Sequence, residues 1–138
     1  MDPRKITEDF TVSPQIAPED LPEISREGFR SVLCNRPDNE EAGQPGFDSI
    51  ARAARDEGLE ARSVPIVSGA ITPEAVEEFR QALADLPGPV LAYCRSGTRC
   101  TMLWAIARHG SLPDAEIERR AAAAGYDVSG LLRQRGGQ

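Results

Sequence analysis

The sequence predicts a three-layer α/β fold: a mostly parallel, four-stranded sheet flanked by helices. Three observations predict it. Short apolar runs of strand length alternate with stretches of helical periodicity, the order that builds βαβ units. Glycine and proline punctuate the junctions, at Gly28, Gly58, Pro87-Gly88-Pro89, Gly110 and Gly125. The run Val90-Leu91-Ala92-Tyr93 reads as a buried strand and leads through a polar turn into a helical pattern.

Taken in order, residues 1–9 are polar and are expected to form a flexible N-terminus. Phe10-Thr11-Val12-Ser13 is a short strand ended by Pro14. A helix is expected around Pro18–Arg26: Pro18 suits a first helical position, Glu19 and Asp20 the N-terminal turn, and Gly28 the stop. Phe29 to Cys34 is the second strand, and Asn35-Arg36-Pro37-Asp38 turns it into a polar loop reaching Pro45. Phe47, Ile50, Ala51 and Ala54 share one helix face. In the third strand, Leu59, Ala61 and Ser63 alternate with Glu60 and Arg62, the pattern of a half-exposed strand near an edge. After the loop Pro65–Ala70, Thr72 is an N-cap and Pro73 a first helical position, with Val76, Phe79, Leu83 and Leu86 facing the core. The helix that starts near Thr98 carries Leu103, Ile106 and Ala107 at spacings of three and four. Pro113–Ala124 and Val128–Leu132 are further helices. The expected organisation is one domain over residues 10–132, with a flexible tail over 133–138 and no internal repeat.

Composition narrows the function. A chain of 138 residues can bury a real core. No apolar run approaches the roughly 20 residues of a membrane span, and no secretory signal follows Met1, so a cytoplasmic setting is expected. A net charge of −6 argues against a nucleic-acid binder. Three cysteines, an odd number, suit a reducing compartment better than a disulfide framework. A single histidine, His109, and cysteine spacings of 60 and 6 residues match no metal site, and no cofactor is implied.

The chemistry concentrates in Cys94-Arg95-Ser96-Gly97-Thr98-Arg99. A strand-turn-helix points backbone N–H groups at one spot, at the positive end of the helix dipole, and so forms an anion site. A cysteine opening that turn is favoured as thiolate. Arg95 and Arg99 add positive charge, and Gly97 lets the backbone turn tightly. A single cysteine at a strand end is more often a small core residue. Two arginines, a glycine and two hydroxyls beside it are poor core material, and they suit an oxyanion next to a nucleophile. Cys34, inside an apolar run, reads as core. The polar loop holds Arg36, Asp38, Glu40, Glu41 and Gln44. If the sheet is parallel, this loop leaves a strand at the end where α/β sites form, which makes Arg36 and Asp38 candidate binding residues. Trp104 and Tyr126-Asp127-Val128 read as packing.

These residues resemble a known family, the phosphatase-like domain of β-lactamase hydrolase-like proteins, a module also called a sulfurtransferase. Besides the Cys94–Arg99 loop followed by Leu103-Trp104-Ala105, the similar stretches are Val12-Ser13-Pro14-Gln15-Ile16, Asn35-Arg36-Pro37-Asp38, Gln44-Pro45, Gly69-Ala70-Ile71-Thr72 and Gly88-Pro89-Val90-Leu91-Ala92-Tyr93. The resemblance implies a fold like the cysteine-dependent phosphatases, with Cys94 as nucleophile and Arg99 as anion clamp. One position departs from it: Cys100 stands where the family pattern has serine. The hydroxyl that helps hold the thiolate would then come from Thr101 or Ser96. Cys100 itself becomes a candidate resolving thiol, against the plainer reading of a small buried residue.

The resemblance leaves two chemistries, phosphate and sulfur. Cysteine phosphatases have five residues between cysteine and arginine; this loop has four and looks like that of rhodanese-type sulfurtransferases. Phosphate-ester cleavage needs a proton donor for the leaving oxygen. Ser68 stands about where related phosphatases carry an aspartate, and Asp38 is the obvious stand-in. Sulfite or a thiolate leaves without a strong acid. The expectation is therefore a sulfurtransferase working through a Cys94 persulfide. A phosphatase with a Cys94 phosphocysteine is the alternative, and a non-catalytic anion-binding or redox-sensing module the third reading. The partners expected are a small anionic substrate (thiosulfate, a persulfide or a phosphate ester), a thiol acceptor and a sulfur-oxidising protein.

Overall fold

The structure is a computed structural model that describes residues 1–136, with side chains through residue 133. Five strands form one sheet: β1 (Arg4–Thr7), β2 (Phe10–Ser13), β3 (Ser31–Cys34), β4 (Glu60–Ser63) and β5 (Val90–Tyr93), in the order β1-β2-β5-β3-β4. The last four are mutually parallel, and only β1 runs antiparallel, paired with β2. The helices are α1 (Leu21–Arg26, preceded by a 3-10 turn over Pro18–Asp20), α2 (Phe47–Asp56), α3 (Pro73–Asp85), α4 (Thr98–Arg108), α5 (Asp114–Ala123) and α6 (Ser129–Gly136).

Two expectations need correction. The sheet has five strands rather than four, because part of the 1–9 segment expected to be loose is β1. Its residues are polar except Ile6, which is buried; an edge strand packing through one side chain leaves little hydrophobic signal. At the other end, α6 runs to Gly136 through most of the expected tail; residues 137 and 138 lie outside the described residues.

Side-chain alternation along β5 divides the core. Val90, Ala92 and Cys94 face a cluster with Phe79, Leu103, Ile106 and Ile117 from α3, α4 and α5. Leu91 and Tyr93 face the opposite cluster, with Leu21 and Ile24 of α1 and Ile50 and Ala54 of α2. Helix α4 packs against α3, α5 and α6 and is buried nearly all round, polar residues Arg99 and Thr101 included. β4 lies at the sheet edge with partly exposed side chains, as its alternating sequence predicts. The parallel strands β2, β3, β4 and β5 all end on one side of the sheet, so four connections converge there: Pro14–Ala17, Asn35–Gly46, Val64–Thr72 and Cys94–Gly97. No helix among the described residues is long and apolar enough to cross a membrane.

Candidate active site

Cys94 follows the last residue of the central strand. Its N–H donates to the Ser13 carbonyl at 3.4 Å, and the neighbouring Arg95 carbonyl accepts from the Gln15 N–H at 3.2 Å, so the end of β2 and the connection after it hold the start of the turn. The chain then reverses through Gly97, whose φ of 89° is left-handed, and enters α4 at Thr98. Gly97 also has Tyr126 against it: a Cβ there would run into the Tyr126 hydroxyl, which donates to the Ser96 carbonyl at 2.9 Å.

This reversal brings donors onto the sulfur. The Gly97 N–H reaches Cys94 Sγ at 3.1 Å. Donation from the neighbouring Cys100 thiol, with the N–H groups of Cys100, Ser96 and Gly97, outweighs burial and lowers Cys94 from 9.0 to about 5. The Cys100 thiol moves the other way, raised by its burial and by the adjacent Cys94, and stays protonated as a donor. This corrects the expectation for Thr101 and Ser96. Thr101 Oγ1 donates to the Gly97 carbonyl at 2.9 Å, and the Ser96 hydroxyl pairs with that of Thr98 at 2.9 Å; the departure at Cys100 supplies the contact they were expected to make. Cys34 sits in the core as expected, its thiol donating to the Arg36 carbonyl at 3.2 Å, with burial raising its pKa.

Arg99 is held from two sides. Nη1 donates to the Ile66 carbonyl at 2.8 Å and to Glu40 Oε2 at 2.7 Å, and Nη2 donates to Glu40 Oε1 at 2.8 Å. Arg36, almost wholly buried, donates through Nε to the same Glu40 Oε1 at 2.8 Å, through Nη1 to Gln15 at 3.0 Å and through Nη2 to Glu41 at 3.2 Å. Arg95 is mostly exposed, 3.9 Å from Glu41. Arg36, Glu40, Ser68, Arg95 and Arg99 line an open cleft of about 220 Å³. The Cys94 side chain itself is fully buried.

The structure thus brings Gly97 and Cys100 to the Cys94 sulfur and brings Arg36, Arg95 and Arg99 together in the cleft, while the paired Ser96 and Thr98 hydroxyls are exposed on the turn. Asp38 it does not: its carboxylate accepts from the Phe47 N–H at 2.9 Å, at the start of α2, and is absent from the cleft lining. The sequence reading gave no site role to Glu40 and took Tyr126 as packing. For Glu40 a signal existed, an acid four residues after Arg36 in a loop leaving the site edge of the sheet. Tyr126 carried none, since only the tertiary fold places it beside the loop.

A parallel sheet carrying a thiolate-stabilising turn into a buried helix, with an arginine at the turn's end, defines a cysteine-phosphatase-like protein. The chain belongs to the family described as β-lactamase hydrolase-like protein, phosphatase-like domain, whose model matches residues 2–111. A β-lactamase hydrolase-like protein of Xylella fastidiosa is 37% identical over 125 residues, 89% of this chain but 29% of that protein. The chain therefore spans less than a third of the length of such relatives. Among solved structures, a candidate phosphatase from Neisseria meningitidis is 38% identical, with a TM-score of 0.86, covering 97% of this chain and 96% of that one. Tk-PTP in its active form shares the fold at 18% identity, with a TM-score of 0.64 and 97% of each chain covered.

Proposed function

We propose that the chain is a cysteine-dependent sulfurtransferase whose reaction runs through a Cys94 persulfide. The observation that carries this reading is that, among the described residues lining the cleft, the one carboxylate is held ionised by arginines. Glu40, the carboxylate lining it, is lowered to about 2, chiefly by its hydrogen bonds from Arg99, and stays ionised. Asp38 is engaged at α2, and Ser68 cannot protonate an alkoxide at neutral pH. Sulfur transfer avoids that requirement. The Cys94 thiolate attacks the outer sulfur of a thiosulfate or persulfide donor; the S–S bond breaks and sulfite or a thiolate leaves with the electron pair. The new persulfide terminus takes the place of the thiolate among the loop N–H groups. An acceptor thiolate or cyanide then attacks that outer sulfur, and the Cys94 thiolate returns. Oxidation of Cys94 by a peroxide would give a sulfenic acid, and Cys100 could condense with it to a disulfide with loss of water. Peptide mass mapping after peroxide treatment tests this; finding sulfinic acid with no 94–100 bridge would dispose of it.

The second reading, a phosphatase with a Cys94 phosphocysteine, has the comparisons on its side. The family description and both solved relatives carry phosphatase names, and none of them names sulfur transfer. Paired initial rates on wild type and Cys94→Ser separate the two. Thiosulfate with cyanide should give Cys94-dependent thiocyanate, lost in Cys94→Ser and cut about a hundredfold or more in Arg99→Ala. Phosphate release from an aryl phosphate should be negligible. Cys94-dependent phosphate release without thiocyanate would establish the phosphatase, and neither activity would leave an anion-binding or redox-sensing module.

A further inference from the structure

Arg99, the expected clamp for a substrate anion, already holds one. Both oxygens of Glu40 lie on its guanidinium, at 2.7 and 2.8 Å, and the Ile66 carbonyl takes a further Nη1 hydrogen. The Glu40 side chain is only one quarter exposed, and Arg36 grips the same oxygen from the other side. The loop that carries it is shaped to deliver it. Asn39 adopts a left-handed φ of 63°, the Glu40 N–H donates to Gln44 Oε1 at 3.1 Å, and Gln44 Nε2 donates to the Pro37 carbonyl at 2.9 Å.

The charge balance points the same way. Three guanidiniums, on Arg36, Arg95 and Arg99, meet two carboxylates, on Glu40 and Glu41, and one thiolate. These side-chain charges cancel while Glu40 stays on Arg99, which leaves the loop N–H groups to attract an incoming oxyanion. An anion seated there must either displace a bidentate, charge-assisted pair or sit beside an ionised carboxylate, and both cost free energy that rises with the anion's charge.

We propose that Glu40 is a specificity-determining residue, an internal anion on Arg99 that competes with substrate oxyanions and disfavours doubly charged groups, thiosulfate and a phosphoryl ester alike, relative to a persulfide donor of lower charge at the reacting sulfur. The inference rests on the part of the functional reading that places an anion beside Cys94, and not on the choice between sulfur and phosphate chemistry. Glu40 thus sets a threshold: groups that approach the thiolate with little charge are admitted, and dianions are admitted only after the 35–46 loop gives way.

The test uses Cys94 alkylation, which needs no turnover. Rate constants would be measured for neutral iodoacetamide and anionic iodoacetate on wild type and Glu40→Gln, with labelling assigned by peptide mass. The concentration of sulfate or inorganic phosphate that halves the rate would be measured alongside. In Glu40→Gln the half-protecting concentration should fall by about tenfold or more, the loss of one charge-assisted competitor. The iodoacetate-to-iodoacetamide ratio should rise, the neutral reagent correcting for simple opening of the site. Gln44→Ala, which loosens the loop without removing the carboxylate, should shift both readings the same way by less, and it decides the question if Glu40→Gln does not fold. Unchanged half-protecting concentrations in the folded variants would make Glu40 a structural partner of Arg99 and overturn the proposal. A tightened response with no turnover in either assay would leave Glu40's role standing and remove the proposed reaction instead.

Discussion

The Cys94 sulfur gathers one thiol and several backbone donors, and its ionisation follows from that count. The largest contribution is a side chain, Cys100, in the first turn of α4. A thiol is a weaker donor than the hydroxyl the family pattern carries there, but a fully buried one loses no strength to water. The rate of Cys94 alkylation by iodoacetamide should therefore rise with pH through a midpoint near 5 in wild type. Cys100→Ala should move the midpoint up by about a unit or more, while Cys100→Ser, which keeps a donor, should hold it low. A midpoint unchanged in Cys100→Ala would show that the backbone alone sets the thiolate. Stability should follow the same titration. Between pH 5 and 9 the unfolded chain keeps a proton on Cys94 that the folded chain has lost, so stability rises with pH across that window and the contribution is gone below 5. In urea denaturation, Cys94→Ser should flatten that rise.

The turn between β5 and α4 acts as a unit because it is clamped from outside. Gly97 has the left-handed backbone and Tyr126 presses on it, so Gly97→Ala meets strain and a clash together. A loss of about 1–3 kcal/mol is expected from urea denaturation. Tyr126→Phe removes the nearest clashing atom along with the bond to Ser96. The double variant should then be more stable than the sum of the single losses allows, by roughly 0.5 kcal/mol or more; strict additivity would mean that the two residues do not bear on each other. The same element shows how far the sequence could be read. Strand, turn and helix are contiguous, so apolar run, glycine and arginine spacing predicted Cys94 to Arg99 as one anion-binding turn. What closes on it comes from elsewhere in the chain: Glu40 from the β3–α2 loop, Tyr126 after α5, and Ile66 through its carbonyl, which no side-chain pattern reveals. Asp38 misled for the same reason. Its type suited an acid, but the N-terminus of α2, nine residues further on, claims its carboxylate.

Across the whole molecule the parallel strands could be ranked as buried or edge from their residue alternation, whereas β1 could not be seen: it pairs with the adjacent β2, but its one apolar residue, Ile6, packs against helices distant in sequence. Ile6 is buried in the same cluster as Ile117 of α5, and the Ile6 carbonyl accepts from Arg120 at 3.3 Å. Arg4 reaches further: its Nη1 donates to the Ala124 carbonyl at 3.0 Å, and its guanidinium lies 5.8 Å from the centre of the Tyr126 ring, the residue that braces the Ser96 carbonyl. The far edge of the sheet is thus tied through α5 and Tyr126 to the catalytic-loop candidate. Removing residues 1–8 should cost about 2 kcal/mol or more, from the burial of Ile6 and the lost strand pairing, and should lower the urea midpoint. It should also leave β2 as a bare edge, so that light scattering shows concentration-dependent association absent from the full chain. If the truncated chain keeps its urea midpoint, β1 adds nothing to the sheet's stability, and the tie from Arg4 to the loop has no mechanical consequence. If the midpoint falls and the Gly97–Tyr126 coupling falls with it, the edge strand supports the loop from across the molecule.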